Sequence, residues 1–77
     1  MSKDNLLSEF IANLREAIDL PEKIVLEEIT SLEELPEWDS VAMLGTLAMY
    51  EMKYGKEVST DDIYEAKTVG DLYKLAN

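Results

Sequence analysis

The sequence predicts an all-α fold: a small bundle of three main helices plus one short helix, with a long ordered connection between the first two main helices. Three observations point there. Apolar residues recur at helical spacing in residues 3–18, 40–54 and 69–76. Capping residues and a terminating glycine bracket those segments. Strand-like alternation of apolar and polar residues is absent. With 77 residues the chain makes one domain, 1–77, and without cysteine its small core has to rest on helix packing.

The first helix is expected over about residues 3–18, where Leu6, Leu7, Phe10, Ile11, Leu14 and Ile18 lie close to a spacing of three and four. Ser2 or Asp4 is expected to cap its start, and Pro21 lies just past its end. Residues 19–39 carry no long periodic element, which in a compact domain signals function or partial structure. Ile24, Val25, Leu26, Ile29, Leu32 and Leu35 are expected to pin this stretch to the core. Ser31-Leu-Glu-Glu reads as a capping box over a short turn that Pro36 ends.

The second main helix, residues 40–54, has Asp39 as its cap and Gly55 as its left-handed closing residue. Lys53 and Lys56 suit the negative end of its dipole. Val58 then anchors an extended link to a short helix at 60–65. Thr68-Val-Gly-Asp is a capping box that opens the last helix, 69–76, with Val69, Leu72, Tyr73 and Leu75 as its apolar face.

Seventeen acidic against seven basic residues give a formal charge of −10. Such a chain repels phosphate backbones and anionic lipid surfaces, so neither nucleic acid nor membrane is an expected partner. The acids crowd the connection. Between Leu20 and Ser40 lie Glu22, Glu27, Glu28, Glu33, Glu34, Glu37 and Asp39, against the single base Lys23. That distribution suits steering toward basic patches on partner proteins. The N-terminal Met-Ser-Lys-Asp-Asn lacks the basic-then-apolar pattern of a secretory signal, so a cytoplasmic, monomeric protein is expected.

Nothing here supports unassisted catalysis. The chain has no histidine and no cysteine, and its carboxylates form no convincing acid–base pair. Asp61-Asp62 lacks the alternating oxygen ligands and central glycine of a calcium loop, and no glycine-rich phosphate cradle is present. The chain is not expected to be an enzyme on its own, nor to hold a metal.

The second helix separates into two apolar stripes at about 100° per residue. Met43, Leu47, Tyr50 and Tyr54, with Leu44 at the edge, are expected to face the core. Val41, Gly45, Ala48 and Met52 lie roughly opposite and are expected to form a docking surface beside Ser40, with Glu51 the one acid in the helix proper. A phosphodiester on Ser40 would be stabilised by the helix dipole and by unpaired first-turn amides.

Taken in order, these features resemble the acyl carrier protein family over nearly the whole chain. They are a long helix, an acidic connection, Asp39-Ser40-Val41, a helix ending in Tyr54-Gly55, a short acidic helix and Thr68-Val69-Gly70-Asp71-Leu72. The resemblance implies that Ser40 carries 4′-phosphopantetheine, with Asp39 and Val41 in its recognition motif. It implies a phosphopantetheinyl transferase, an acyl- or aminoacyl-loading ligase and downstream synthase or transferase enzymes as partners, in fatty acid or secondary-metabolite biosynthesis. Family members of fatty acid synthesis commonly have acids where Gly45 and Met52 stand, and Val41 replaces the usual leucine. Tyr50 and Tyr54 are large for a core that would open to a long chain, which points to a short, polar or aminoacyl cargo. The alternative is an acidic helical interaction or adaptor module without a prosthetic group.

Overall fold

The computed structural model describes the backbone of residues 3–76 and the side chains of residues 6–76. Helix α1 spans Lys3–Ala17; its expected caps, Ser2 and the Asp4 side chain, lie outside the described residues. Its far end closes on Asp19, which takes a left-handed backbone with φ 52°. Aspartate tolerates that conformation better than most residues with a side chain. The Leu20 amide donates to the Arg15 carbonyl at 3.1 Å and the Asp19 amide to that of Glu16 at 3.4 Å. This is the paired closure that usually uses glycine. The Arg15 guanidinium then donates to the carbonyls of Pro21 and Ile24, fixing the start of the connection.

The connection is ordered, but four of its six apolar residues do the anchoring. Leu26 and Leu32 are buried, and Ile24 and Leu35 pack partly buried against the core. Val25 and Ile29, also expected to pin it, are exposed. Backbone bonds to the start of the last helix do the rest of the holding. The Leu32 amide donates to the Lys67 carbonyl at 2.9 Å. The Val69 and Gly70 amides donate to the carbonyls of Thr30 and Glu28 at 3.1 and 2.8 Å. Ser31 pairs with Thr68 in an isolated bridge, and no strand forms among the described residues. The capping box expected at Ser31 is absent: its side chain makes no cap bond to the single 3₁₀ turn Leu32–Glu34. The amide it would have capped, that of Glu34, is taken by the Ser31 carbonyl at 3.2 Å.

Helix α2 spans Ser40–Met49 and continues as a π turn over Tyr50–Tyr54 before Gly55 closes it with φ 62°. Bonding from i to i+5 widens the turn and rotates each residue through a smaller angle. Tyr50 and Tyr54 thereby both meet Phe10 of α1, with ring centroids 6.1 and 6.0 Å away. Tyr73 completes the cluster at 5.6 Å. Helix α3 spans Thr60–Glu65 and is capped by Ser59, while Val58 packs half-buried before it. Helix α4 spans Val69–Leu75 and opens on the expected capping box between Thr68 and Asp71.

The result is a small all-α fold in which α1 packs chiefly on α2, with α3 and α4 completing the core. Phe10, Leu14, Leu32, Tyr50, Ile63, Val69 and Leu72 are fully buried. Gly70 is needed where it stands, because a Cβ there would lie 2.8 Å from the Glu28 side chain and 3.1 Å from its carbonyl oxygen. No helix among the described residues is long and apolar enough to cross a membrane.

Candidate functional site

Ser40 is the first residue of α2, and it is exposed. A serine at such a position is often explained by capping, but here the cap is Asp39. The Asp39 side chain accepts from the Ala42 amide at 2.9 Å, and its carbonyl accepts from the Met43 amide at 3.0 Å. The Ser40 hydroxyl is therefore not needed to start the helix. The amides of Ser40 and Val41 belong to the first turn, for which helix geometry provides no partner. A phosphate ester on Ser40 would sit over them, at the positive end of the helix dipole. An accessible hydroxyl, first-turn amides and an adjacent carboxylate would suit a phosphate-linked group of the kind the family resemblance implies.

Two further features surround Ser40. A cleft of about 170 Å³ between α2 and α3 is lined by Ser40, Met43, Leu44, Leu47, Thr60 and Tyr64. Its lining is mostly apolar, and three of its residues, Ser40, Thr60 and Tyr64, carry hydroxyls. On another side, Asp39 and Val41 border a cleft that also takes in Asp19 and Glu37. One Glu37 carboxylate oxygen is buried without a hydrogen-bond partner. No group of three or more metal-ligating side chains occurs among the described residues. Trp38, just upstream, packs half-buried against the core, as its size suggests.

The stripes of α2 are rotated from their expected places. Ala42, Thr46, Met49 and Tyr50 are the buried positions, with Met43, Leu47 and Tyr54 half-buried beside them. Thr46 tolerates burial because its hydroxyl donates to the Ala42 carbonyl at 2.8 Å. Leu44, expected at the edge of the core face, is exposed, as are Val41, Ala48, Glu51 and Met52. Gly45, expected in the outer stripe, instead faces α1: a Cβ there would lie 2.6 Å from the Ala17 carbonyl oxygen. It sits in a groove between α1 and α2 that Ala48 and Met52 also line. The outward apolar row is thus Val41, Leu44, Ala48 and Met52.

Tyr50 is the functional-looking residue whose role sequence reasoning missed. Its hydroxyl donates to the Leu72 carbonyl at 2.7 Å. Leu72 lies in the last turn of α4, whose carbonyls lack intrahelical donors, so Tyr50 caps that helix from another. Burial, and secondarily Tyr54, pushes the Tyr50 hydroxyl well above the ordinary tyrosine range and keeps it a donor. Comparison with protein-family models, curated proteins and solved structures finds no match.

Proposed function

We propose that this chain is a stand-alone carrier protein that bears 4′-phosphopantetheine on Ser40 and shuttles thioester-bound acyl or aminoacyl groups between partner enzymes. The observation that supports it best is the division of labour at the start of α2. Asp39 caps the helix, leaving an exposed Ser40 hydroxyl over first-turn amides. On this reading a phosphopantetheinyl transferase cleaves the pyrophosphate of coenzyme A. Ser40 Oγ gains the new phosphorus–oxygen bond, adenosine 3′,5′-bisphosphate leaves, and the serine proton passes to a base of the transferase. The arm supplies the thiol that a chain without cysteine lacks.

The chain's own part is then to present Ser40 and to be recognised. Asp39 and Val41 flank the hydroxyl, and the outward row Val41, Leu44, Ala48 and Met52 offers apolar contact to a loading ligase or synthase. The surrounding acids favour partners with basic rims. Incubation with coenzyme A and a broad-specificity phosphopantetheinyl transferase, read by intact mass, tests the proposal. A gain of one phosphopantetheine that disappears in Ser40→Ala is expected. An unmodified wild type would instead favour an acidic interaction module with no prosthetic group.

A further inference from the structure

Whatever the arm carries has four places to go: solvent, the apolar cleft between α2 and α3, the interior, or the cleft of about 250 Å³ beside Asp39 and Val41, where the Asp19, Glu37 and Asp39 carboxylates disfavour an apolar tail. Resting on the carrier reading, we infer that Ser40 serves short acyl or aminoacyl groups, of about six carbons or fewer, and that Tyr50 closes the interior to longer ones.

The cleft sets the first bound. It measures about 170 Å³, close to the ~150 Å³ of a cavity that holds one benzene-sized molecule. Met43, Leu44 and Leu47 line it from α2, while Thr60 and Tyr64 line it from α3. An apolar group of that size gains contact there. Carbons beyond it do not.

The interior sets the second bound. Tyr50 follows Leu47 by one helical turn and is fully buried. Its ring packs near that of Phe10, which also meets Tyr54 and Tyr73. Its hydroxyl donates to the last-turn carbonyl of Leu72. A chain threading between α2 and α4 has to displace that ring, and the Leu72 carbonyl then loses its donor in a buried setting, which is costly. The same displacement uncaps α4. A long tail is thus left in water until a partner takes it.

The test loads wild-type protein with a broad-specificity phosphopantetheinyl transferase and acetyl-, butyryl-, hexanoyl-, octanoyl- and dodecanoyl-coenzyme A. Intact mass reports loading; melting temperature and amide NMR shifts report where the acyl group lies. If no donor adds mass, the carrier reading itself fails and the length limit falls with it. With loading achieved, shifts at Leu47 and Tyr64 are expected to stop growing after hexanoyl. Phe10, Tyr50 and Leu72 should stay unshifted, and the melting temperature should be flat from hexanoyl to dodecanoyl. A melting temperature that climbs through dodecanoyl, with shifts at Phe10 and Leu72, overturns the length limit and leaves the carrier reading standing. Tyr50→Phe keeps the ring but loses the bond to Leu72, and its octanoyl form is expected to shift Phe10. An unshifted Phe10 in that folded variant removes Tyr50 as the barrier. Should the variant not fold, the wild-type series decides alone.

Discussion

On one face of α2, Ala42, Thr46, Met49 and Tyr50 are at most 4% exposed, whereas Val41, Leu44 and Met52 on the other are at least 66% exposed. The buried set contains an alanine and a threonine; the exposed set contains a valine, a leucine and a methionine. Hydrophobicity alone would not have put Ala42 and Thr46 inside while leaving Val41 and Leu44 outside. What sorts them is fit. Gly45 lets α2 lie against the Ala17 carbonyl, and that approach decides which residues turn inward. The inner face holds the fold together, and the outer row is exposed.

The largest effect should come from Tyr50→Ala, which removes the ring from the Phe10 cluster and the donor from Leu72. A loss of about 3–5 kcal/mol is expected in chemical denaturation. In a domain this small, each kcal/mol lowers the melting temperature by about 4–8 °C, so the variant should be partly unfolded at room temperature. A nearly unchanged midpoint would show that the Tyr50 ring and its bond to Leu72 carry little of the fold's stability.

Gly45→Ala sharpens it at the helix crossing. Its new Cβ meets a backbone oxygen, so α1 and α2 have to separate. The strain outweighs alanine's better helix propensity, for a net loss of about 1–2 kcal/mol. A more stable variant would show that the crossing has slack.

The inner face leans on α4, and the start of α4 leans on Asp71. Amides of Lys67, first, and Thr68 bond its carboxylate and hold its pKa below the usual value. A carboxyl whose folded pKa is depressed adds stability above its unfolded pKa, and that stability is lost as pH falls through the folded value. Denaturation midpoints followed from neutral into acid should therefore decline less steeply for Asp71→Asn than for wild type. Parallel declines would remove this cap from the acid response.

The smallest change in stability is expected from Leu44→Glu on the outer row, within about 0.5 kcal/mol. Its rate of modification by a phosphopantetheinyl transferase should nonetheless fall about tenfold, because a charge in a desolvated contact is costly. Equal rates would leave the outer row without a role for that enzyme.

Local chemistry made much of this fold legible in the sequence. Asp39 caps α2, Gly55 closes it, and Thr68 and Asp71 form their box, each because neighbouring residues alone satisfy the bonds. Features that depend on distant partners were not legible. Asp19 closes α1 without a glycine, the π turn serves a ring on another helix, and Ser31 sits opposite Thr68 in a bridge made by the flanking Leu32 and Val69 amides, with no side-chain cap bond. Val25 and Ile29 look like anchors only until backbone bonds are found doing that work. At the start of α2, Asp39, Ser40 and Val41 are all exposed. A helical wheel puts Leu44 at the edge of the core and Gly45 outside, because it carries no information about the Ala17 carbonyl against which α2 lies.

The central claim is that one serine among five is the attachment point. Fragment mass spectrometry of protein treated with coenzyme A and a phosphopantetheinyl transferase tests it most directly, because it locates the added mass along the chain. Phosphopantetheine on Ser40 alone is the predicted result. The same mass on Ser2, Ser8, Ser31 or Ser59, or no added mass at all, would contradict it.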